Sequence, residues 1–305
     1  MPPPVPATPR NHRQRLRLSG GTELSFITAG DTGGNKPAVL LLHGFPGSAS
    51  YFREIVPELA QAAYVIAPDL PGFGESDVLP SPSFPAFSRA ISELLDRLEI
   101  GPRKRYIYLH DFGAPVGFDI AIRAPEQVLG LIVQNANAHR TGLGPQWTPV
   151  MDYWSHPDAE REAAATKHLT FEGVRNGYLG GMPPDVAARI PAERWEDDWR
   201  VMQLPGRMDT QRALVRDYGN YVARFDEIAR YLRRWQPPSL LVWARHDPFF
   251  DLAEVLSWMG ALPRMEAHVL DAGHKLLETH AAAAGRLMLG FIRRIQEDQS
   301  MGEPD

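Results

Sequence analysis

The sequence predicts an α/β fold in which a mostly parallel, doubly wound sheet of about eight strands carries a helical insertion. Short, wholly apolar runs such as Ala38–Leu42 recur along the chain, and such runs are typical of strands buried on both faces of a sheet. Helix-length amphipathic stretches separate most of them, which favours right-handed strand–helix–strand crossovers. This alternation breaks once, between about residues 137 and 235, where helical segments but no clear buried strand occur.

The elements follow in chain order. Residues 1–14 are rich in proline and predict a flexible tail, and no apolar run typical of a secretory signal follows them. The turn-rich Ser19–Thr22 joins two predicted antiparallel strands, Arg15–Leu18 and Leu24–Thr28. Buried strands are then predicted at Ala38–Leu42, Tyr64–Ala67, Tyr106–Leu109, Leu131–Gln134, Leu240–Trp243 and Ala267–Leu270. Helices are predicted at Tyr51–Ala62, Phe84–Leu98, Gly113–Arg123, Leu252–Met259 and Leu277–Gln296.

This order divides the chain into a core of residues 15–136 and 236–305 and a helical cap of residues 137–235. We expect the cap to lie over the carboxyl edge of the sheet, where α/β folds place their ligand site. The cap contains Trp147, Trp154, Trp195 and Trp199. These side chains suggest an apolar pocket, although aromatic residues in helices pack in a core more often than they contact a ligand.

Composition excludes several classes of function. The 32 Lys and Arg residues against 37 Asp and Glu residues give a net charge of −5, so nothing electrostatic favours nucleic acid or an anionic membrane. The absence of cysteine excludes disulfides, thiolate nucleophiles and Fe–S clusters. No cofactor or metal is expected because no ligand cluster has suitable spacing. Without a long apolar run, residence in the cytoplasm is the default expectation, and the oligomeric state stays open.

Five polar islands follow predicted strands. They are His43-Gly-Phe-Pro-Gly-Ser48, the loop Asp69–Asp77, His110-Asp-Phe-Gly-Ala-Pro115, Asp247, and Gly273-His274. Together and in this order they resemble the α/β-hydrolase superfamily, specifically its epoxide hydrolase and haloalkane dehalogenase branch with an aspartate nucleophile. The resemblance covers about residues 15–295 and implies the α/β-hydrolase fold.

In this resemblance Asp111 occupies the nucleophile position, which is a serine in the usual G-x-S-x-G turn. Gly113 and Ala114 leave room on the helix side, whereas Leu109 stands where a glycine is common. By itself, an aspartate before a helix is most often an N-cap.

A carboxylate nucleophile restricts the reaction class. Attack by a carboxylate on an ester would give an anhydride, but attack on an sp3 carbon gives an ordinary alkyl ester. The expected substrate is therefore an epoxide or an alkyl halide.

The same resemblance implies the groups that would hydrolyse this ester. His274 is the expected base because its reference pKa lies close to neutral pH, and Asp247 is the acid expected to orient it. The backbone N–H groups of Phe45 and Phe112 are the expected oxyanion hole. His43, His246 and the loop Asp69–Asp77 are interpreted as structural.

The sequence is compatible with three functions. Haloalkane dehalogenases of this branch typically bind halide with side-chain N–H groups, and this chain has Phe45 and Phe112 there, which cannot donate. Epoxide hydrolases instead use cap acids, commonly two tyrosines, and the resemblance implies Tyr153 and Tyr218, with Tyr221 as a substitute. A non-catalytic hydrolase-fold protein that binds an apolar ligand is the third possibility. The favoured prediction is an epoxide hydrolase whose only partners are a small apolar organic substrate and water.

Overall fold

The computed structural model describes residues 12–32 and 36–302. Its centre is one eight-stranded sheet in the order β1-β2-β4-β3-β5-β6-β7-β8. The strands are β1 (His12–Arg17), β2 (Glu23–Ala29), β3 (Ala38–Leu42), β4 (Tyr64–Pro68), β5 (Arg105–His110), β6 (Val128–Gln134), β7 (Ser239–Ala244) and β8 (Glu266–Leu270). Strand β2 is antiparallel to β1 and β4, and the remaining pairs are parallel. The predicted mostly parallel sheet is confirmed.

Helices cover both faces of this sheet because successive strand residues point to opposite sides. In β3, Leu40 and Leu42 face one apolar core, whereas Val39 and Leu41 face the other. The α-helices outside residues 137–235 are α1 (Val56–Leu59), α2 (Phe84–Arg97), α3 (Gly113–Arg123), α11 (Ala253–Ala261) and α12 (Leu277–Gly302). Helices α2, α3 and α11 contribute to the first core, and α1 and α12 to the second. The sheet is therefore doubly wound, as predicted.

Residues 137–235, from here called the insert, contain helices and no strand. The α-helices are α4 (Thr148–Ser155), α5 (Ala159–Ala165), α6 (Phe171–Leu179), α7 (Pro184–Ala187), α8 (Glu193–Met202), α9 (Arg207–Ala223) and α10 (Phe225–Trp235). The insert leaves the sheet after β6 and returns at β7, so its two ends lie at neighbouring strands.

Three predicted elements differ from the structure. The helix expected at Tyr51–Ala62 is a short 3-10 helix followed by α1, because Pro57 lacks the N–H that a continuous helix needs. Strand β1 begins at His12, inside the predicted tail; residues 1–11 of that tail lie outside the described residues. Strand β8 is an edge strand rather than a fully buried one, and its Val269 is 47% exposed. Among the described residues, no helix is long and apolar enough to cross a membrane.

Candidate active site

Asp111 occupies a sharp turn between β5 and α3. Its φ of +49° places a non-glycine residue in the left-handed region, an uncommon conformation that needs support from its surroundings. Two glycines provide the space for it. A Cβ on Gly44 would lie 2.2 Å from the Asp111 Cβ, and a Cβ on Gly113 would lie 2.3 Å from the Leu42 carbonyl oxygen. The loop after β3 can therefore pack directly against the turn that carries Asp111.

The two carboxylate oxygens of Asp111 have different surroundings. Oδ1 accepts hydrogen bonds from the backbone N–H of Phe45 at 2.7 Å and of Phe112 at 2.5 Å. Oδ2 lies 3.8 Å from Nε2 of His274, which is too long for a direct hydrogen bond. Burial raises the pKa of Asp111, while His274 and the two N–H groups oppose this shift. One oxygen is thus held by two donors, and the other faces the imidazole.

His274 is oriented by Asp247. Its Nδ1 lies 2.7 Å from Oδ2 of Asp247, whose side chain is fully buried. The other oxygen of Asp247, Oδ1, accepts hydrogen bonds from the backbone N–H groups of Phe249 at 2.8 Å and Phe250 at 3.2 Å. An ionised Asp247 can only accept, so Nδ1 carries the proton and Nε2, on the Asp111 side, is free to accept one. The ring of Phe250 stacks on the imidazole at 5.5 Å and 7°.

Other acids and histidines near the ends of these strands have separate partners. Asp251 accepts a hydrogen bond from the N–H of Ala253 at the start of α11, and Glu278 pairs with Arg53 through two hydrogen bonds, whereas His274 pairs with Asp247. His246 pairs with Asp271 through Nε2. His43 joins two loops, since one ring nitrogen contacts the Gly44 carbonyl and the other accepts the Leu70 N–H. In the loop after β4, the Asp69 side chain accepts a hydrogen bond from the backbone N–H of Ala49 and forms an ion pair with Arg13.

Asp111 and His274 open into a cavity of about 350 Å³ between the core and the insert. The wall is mostly apolar. The core contributes Phe45, Phe112, Phe249 and Phe250, and the insert contributes Trp147, Val150, Ala165, His168, Val215 and Tyr218. Burial lowers the pKa of His168 to about 4, so its ring is neutral at pH 7. A small apolar molecule could therefore lie against the free oxygen of Asp111.

The structure brings Tyr218 to this cavity but not Tyr153. The Tyr218 hydroxyl oxygen is 3.5 Å from the donating Nδ2 of Asn137. Burial, followed by the interactions with Tyr221 and Asp111, raises its pKa well above the ordinary value, so the phenol stays protonated. Tyr153 is buried against Ala165 and Val215, and its hydroxyl accepts from Arg216 at 2.9 Å. Tyr221 donates to the Asn137 carbonyl.

Sequence reasoning missed two parts of the site. Phe249 and Phe250, directly after Asp247, both orient that carboxylate through their backbone and line the cavity through their rings. Lys275, directly after His274, is buried at 2% exposure. The only sequence signal for its burial is that two apolar residues, Leu276 and Leu277, follow it directly. In the stretches 12–32 and 36–302, no group of three or more acidic or histidine side chains is arranged to hold a metal.

Comparison with known proteins places this chain in a family. A family model described as alpha/beta hydrolase fold matches residues 37–281. The chain belongs to the alpha/beta hydrolase fold family. An uncharacterized hydrolase of Saccharomyces cerevisiae is 31% identical over 284 residues, covering 91% of this chain and 96% of the yeast protein. This protein is therefore a hydrolase of the alpha/beta fold.

More distant relatives of this alpha/beta hydrolase carry named activities. A haloalkane dehalogenase of Mesorhizobium japonicum is 36% identical over 131 residues, which is 42% of this chain and 40% of that protein. Epoxide hydrolase 3 of Mus musculus is 24% identical over 300 residues, which is 90% of this chain and 75% of that protein. The two relatives differ in substrate, so the choice between them depends on the residues of this chain.

Proposed function

We propose that this alpha/beta hydrolase opens epoxides through an alkyl-ester intermediate on Asp111. The observation that carries the proposal is the carboxylate in the turn after β5, with Oδ1 bound by two backbone N–H groups and Oδ2 near His274. A carboxylate in this position favours an sp3 carbon as the electrophile over an ester or amide. The apolar cavity beside it suits a small organic substrate.

In the first half-reaction, Oδ2 of Asp111 attacks an oxirane carbon and the ring C–O bond breaks. The electron pair of that bond goes to the ring oxygen, which needs a proton because an alkoxide is a poor leaving group. Tyr218 is the proposed donor. Its phenol is protonated, lines the cavity and accepts rather than donates in its contact with Asn137.

In the second half-reaction, Nε2 of His274 takes a proton from water and the hydroxide adds to the ester carbon. The negative charge develops on Oδ1 of Asp111, where the N–H groups of Phe45 and Phe112 already point. Cleavage of the bond between the ester carbon and Oδ2 then releases the diol, which takes the proton from the imidazolium. The Asp111 carboxyl group keeps the second proton of the water, and its transfer through solvent to the Tyr218 phenolate left by ring opening restores both residues. Asp247 stabilises that imidazolium through its 2.7 Å contact with Nδ1.

The indole donors of Trp147 and Trp154 favour an epoxide over a halide. Halide release needs N–H groups that are free to bind the departing ion. The indole N–H of Trp147 donates to the Phe249 carbonyl at 2.6 Å, and that of Trp154 donates to the Val215 carbonyl at 2.8 Å. Both tryptophan donors are thus satisfied by backbone, while the Tyr218 hydroxyl retains a proton to donate.

A trapping experiment tests this proposal. The variant His274→Gln should form the ester with a terminal epoxide such as styrene oxide and fail to hydrolyse it. Intact-protein mass spectrometry should show one substrate mass added, on the peptide that contains Asp111. His246→Gln is the matched control, because its histidine contacts Asp271 outside the cavity, and it should turn over normally. Halide release from haloalkanes without diol formation would favour dehalogenation, and the absence of both products would favour a non-catalytic ligand-binding protein.

A further inference from the structure

A buried lysine lies behind the oxyanion pocket. The ammonium of Lys275 donates to the carbonyl oxygen of Phe45 at 3.0 Å and to that of Pro46 at 2.6 Å. It also lies over the rings of Tyr51 and Tyr178, 5.4 Å from each centroid. Burying a lysine costs free energy unless its charge and its N–H donors have partners. The two carbonyls and the two rings supply such partners for Lys275.

The lysine interacts with charges from both the core and the insert. Burial lowers the pKa of Lys275, and the carboxylates of Asp198, Asp111 and Glu278 oppose that shift, with Asp198 the largest of the three. Asp198 lies on α8 of the insert and accepts the hydroxyl proton of Tyr178 on α6 at 2.5 Å. The largest of the compensating charges around this cation therefore comes from the insert.

We propose that Lys275 is a positioning residue for hydrolysis of the Asp111 ester. By binding the carbonyls of Phe45 and Pro46, it holds the strand-to-loop segment whose Phe45 N–H points at Oδ1 of Asp111. Its charge also favours negative charge on that oxygen. This inference rests on the proposed function, because it assigns a role within the second half-reaction.

The sign of the charge effect differs between the two half-reactions. During ester formation, negative charge leaves the Asp111 carboxylate for the ring oxygen, so a nearby cation stabilises the starting state. During hydrolysis, a neutral ester becomes an oxyanion at Oδ1, and the same cation stabilises the transition state. General damage to the fold would slow both steps, whereas loss of Lys275 should slow hydrolysis selectively.

The experiment measures both steps separately in Lys275→Met, which removes the charge but retains the length of the side chain. Rapid-quench mass spectrometry gives the rate of ester formation and the rate of ester loss. We expect hydrolysis to slow by about 10–100-fold, less than the roughly 10²–10³-fold cost of deleting an oxyanion donor, with ester formation changed less than about threefold. A larger fraction of the variant than of the wild type should then be present as ester in the steady state.

Three further variants complete the test. Lys275→Arg keeps the charge and should restore most of the hydrolysis rate, and the exposed Lys104→Met should match the wild type. If Lys275→Met does not fold, Lys275→Gln replaces it as an uncharged variant that retains a donor. Equal slowing of both steps, or unchanged hydrolysis in the uncharged variants, would overturn the role of Lys275. If the wild-type and His274→Gln proteins form no ester with any epoxide, the proposed function itself fails.

Discussion

Replacing Asp247 with asparagine should switch the tautomer of His274. In the structure Oδ1 of Asp247 accepts two backbone N–H groups, from Phe249 and Phe250, and Oδ2 accepts from Nδ1 of His274. An asparagine must keep its oxygen toward the two N–H groups, which places its NH₂ group opposite Nδ1. Nδ1 of His274 must then accept a hydrogen bond from that NH₂ group. The ring proton therefore moves to Nε2, which can no longer take a proton from water.

The expected loss is large and confined to hydrolysis. The equivalent change in a serine-type triad lowers kcat by about 10⁴, which corresponds to about 5 kcal/mol in the activation barrier. Single-turnover mass spectrometry of Asp247→Asn should show normal ester formation and ester loss slowed by that factor. Asp271→Asn is the control, because that carboxylate pairs with His246 and is 56% exposed. Ester loss within about tenfold of wild type in Asp247→Asn would refute the assigned orientation of His274.

Three further predictions follow from the same geometry. Tyr218→Phe should slow ring opening by about 10²–10⁴-fold, whereas Tyr153→Phe should leave it within a few-fold, as measured by single-turnover ester formation; the reverse pattern would mean that Tyr153 is the acid. Because burial raises the pKa of Asp111, ester formation should fall on acidification with a midpoint above 3.8, and a midpoint at or below that value would contradict the buried nucleophile. Gly117→Ala should destabilise the protein by about 1–3 kcal/mol in urea unfolding, since its Cβ would lie 2.3 Å from Cδ2 of Leu109; unchanged stability would show that the helix can move away.

The order of the elements and the turn that carries Asp111 could be predicted from sequence because both have local causes. Alternation of apolar runs with amphipathic stretches follows from side-chain periodicity, and the glycines around Asp111 have a steric role. Leu109 departs from the usual small residue, and the structure accommodates it opposite Gly117, eight residues later on α3. A compensation of this kind depends on the packing of α3 against β5, which no sequence pattern encodes.

The roles of the tyrosines could not be separated from sequence. Tyr153 and Tyr218 lie on different helices of the insert, and both are buried. Their hydroxyls differ because Arg216 lies beside Tyr153, while Tyr218 lines the cavity. The direction of each hydroxyl depends on how α4 and α9 pack together. For the same reason, the enclosure of Lys275 by the insert was not predictable from its position next to His274.

The covalent intermediate on Asp111 is tested most directly by one turnover in water enriched in ¹⁸O. Hydrolysis of an ester at its carbonyl carbon places the solvent oxygen in the carboxylate of Asp111, and the first diol released carries only the epoxide oxygen and an oxygen from the protein. With enzyme in excess over epoxide, we predict unlabelled diol and a 2 Da increase in the peptide that contains Asp111. Labelled diol in the first turnover, with Asp111 unlabelled, would mean that water attacks the epoxide directly and would contradict the nucleophilic role of Asp111.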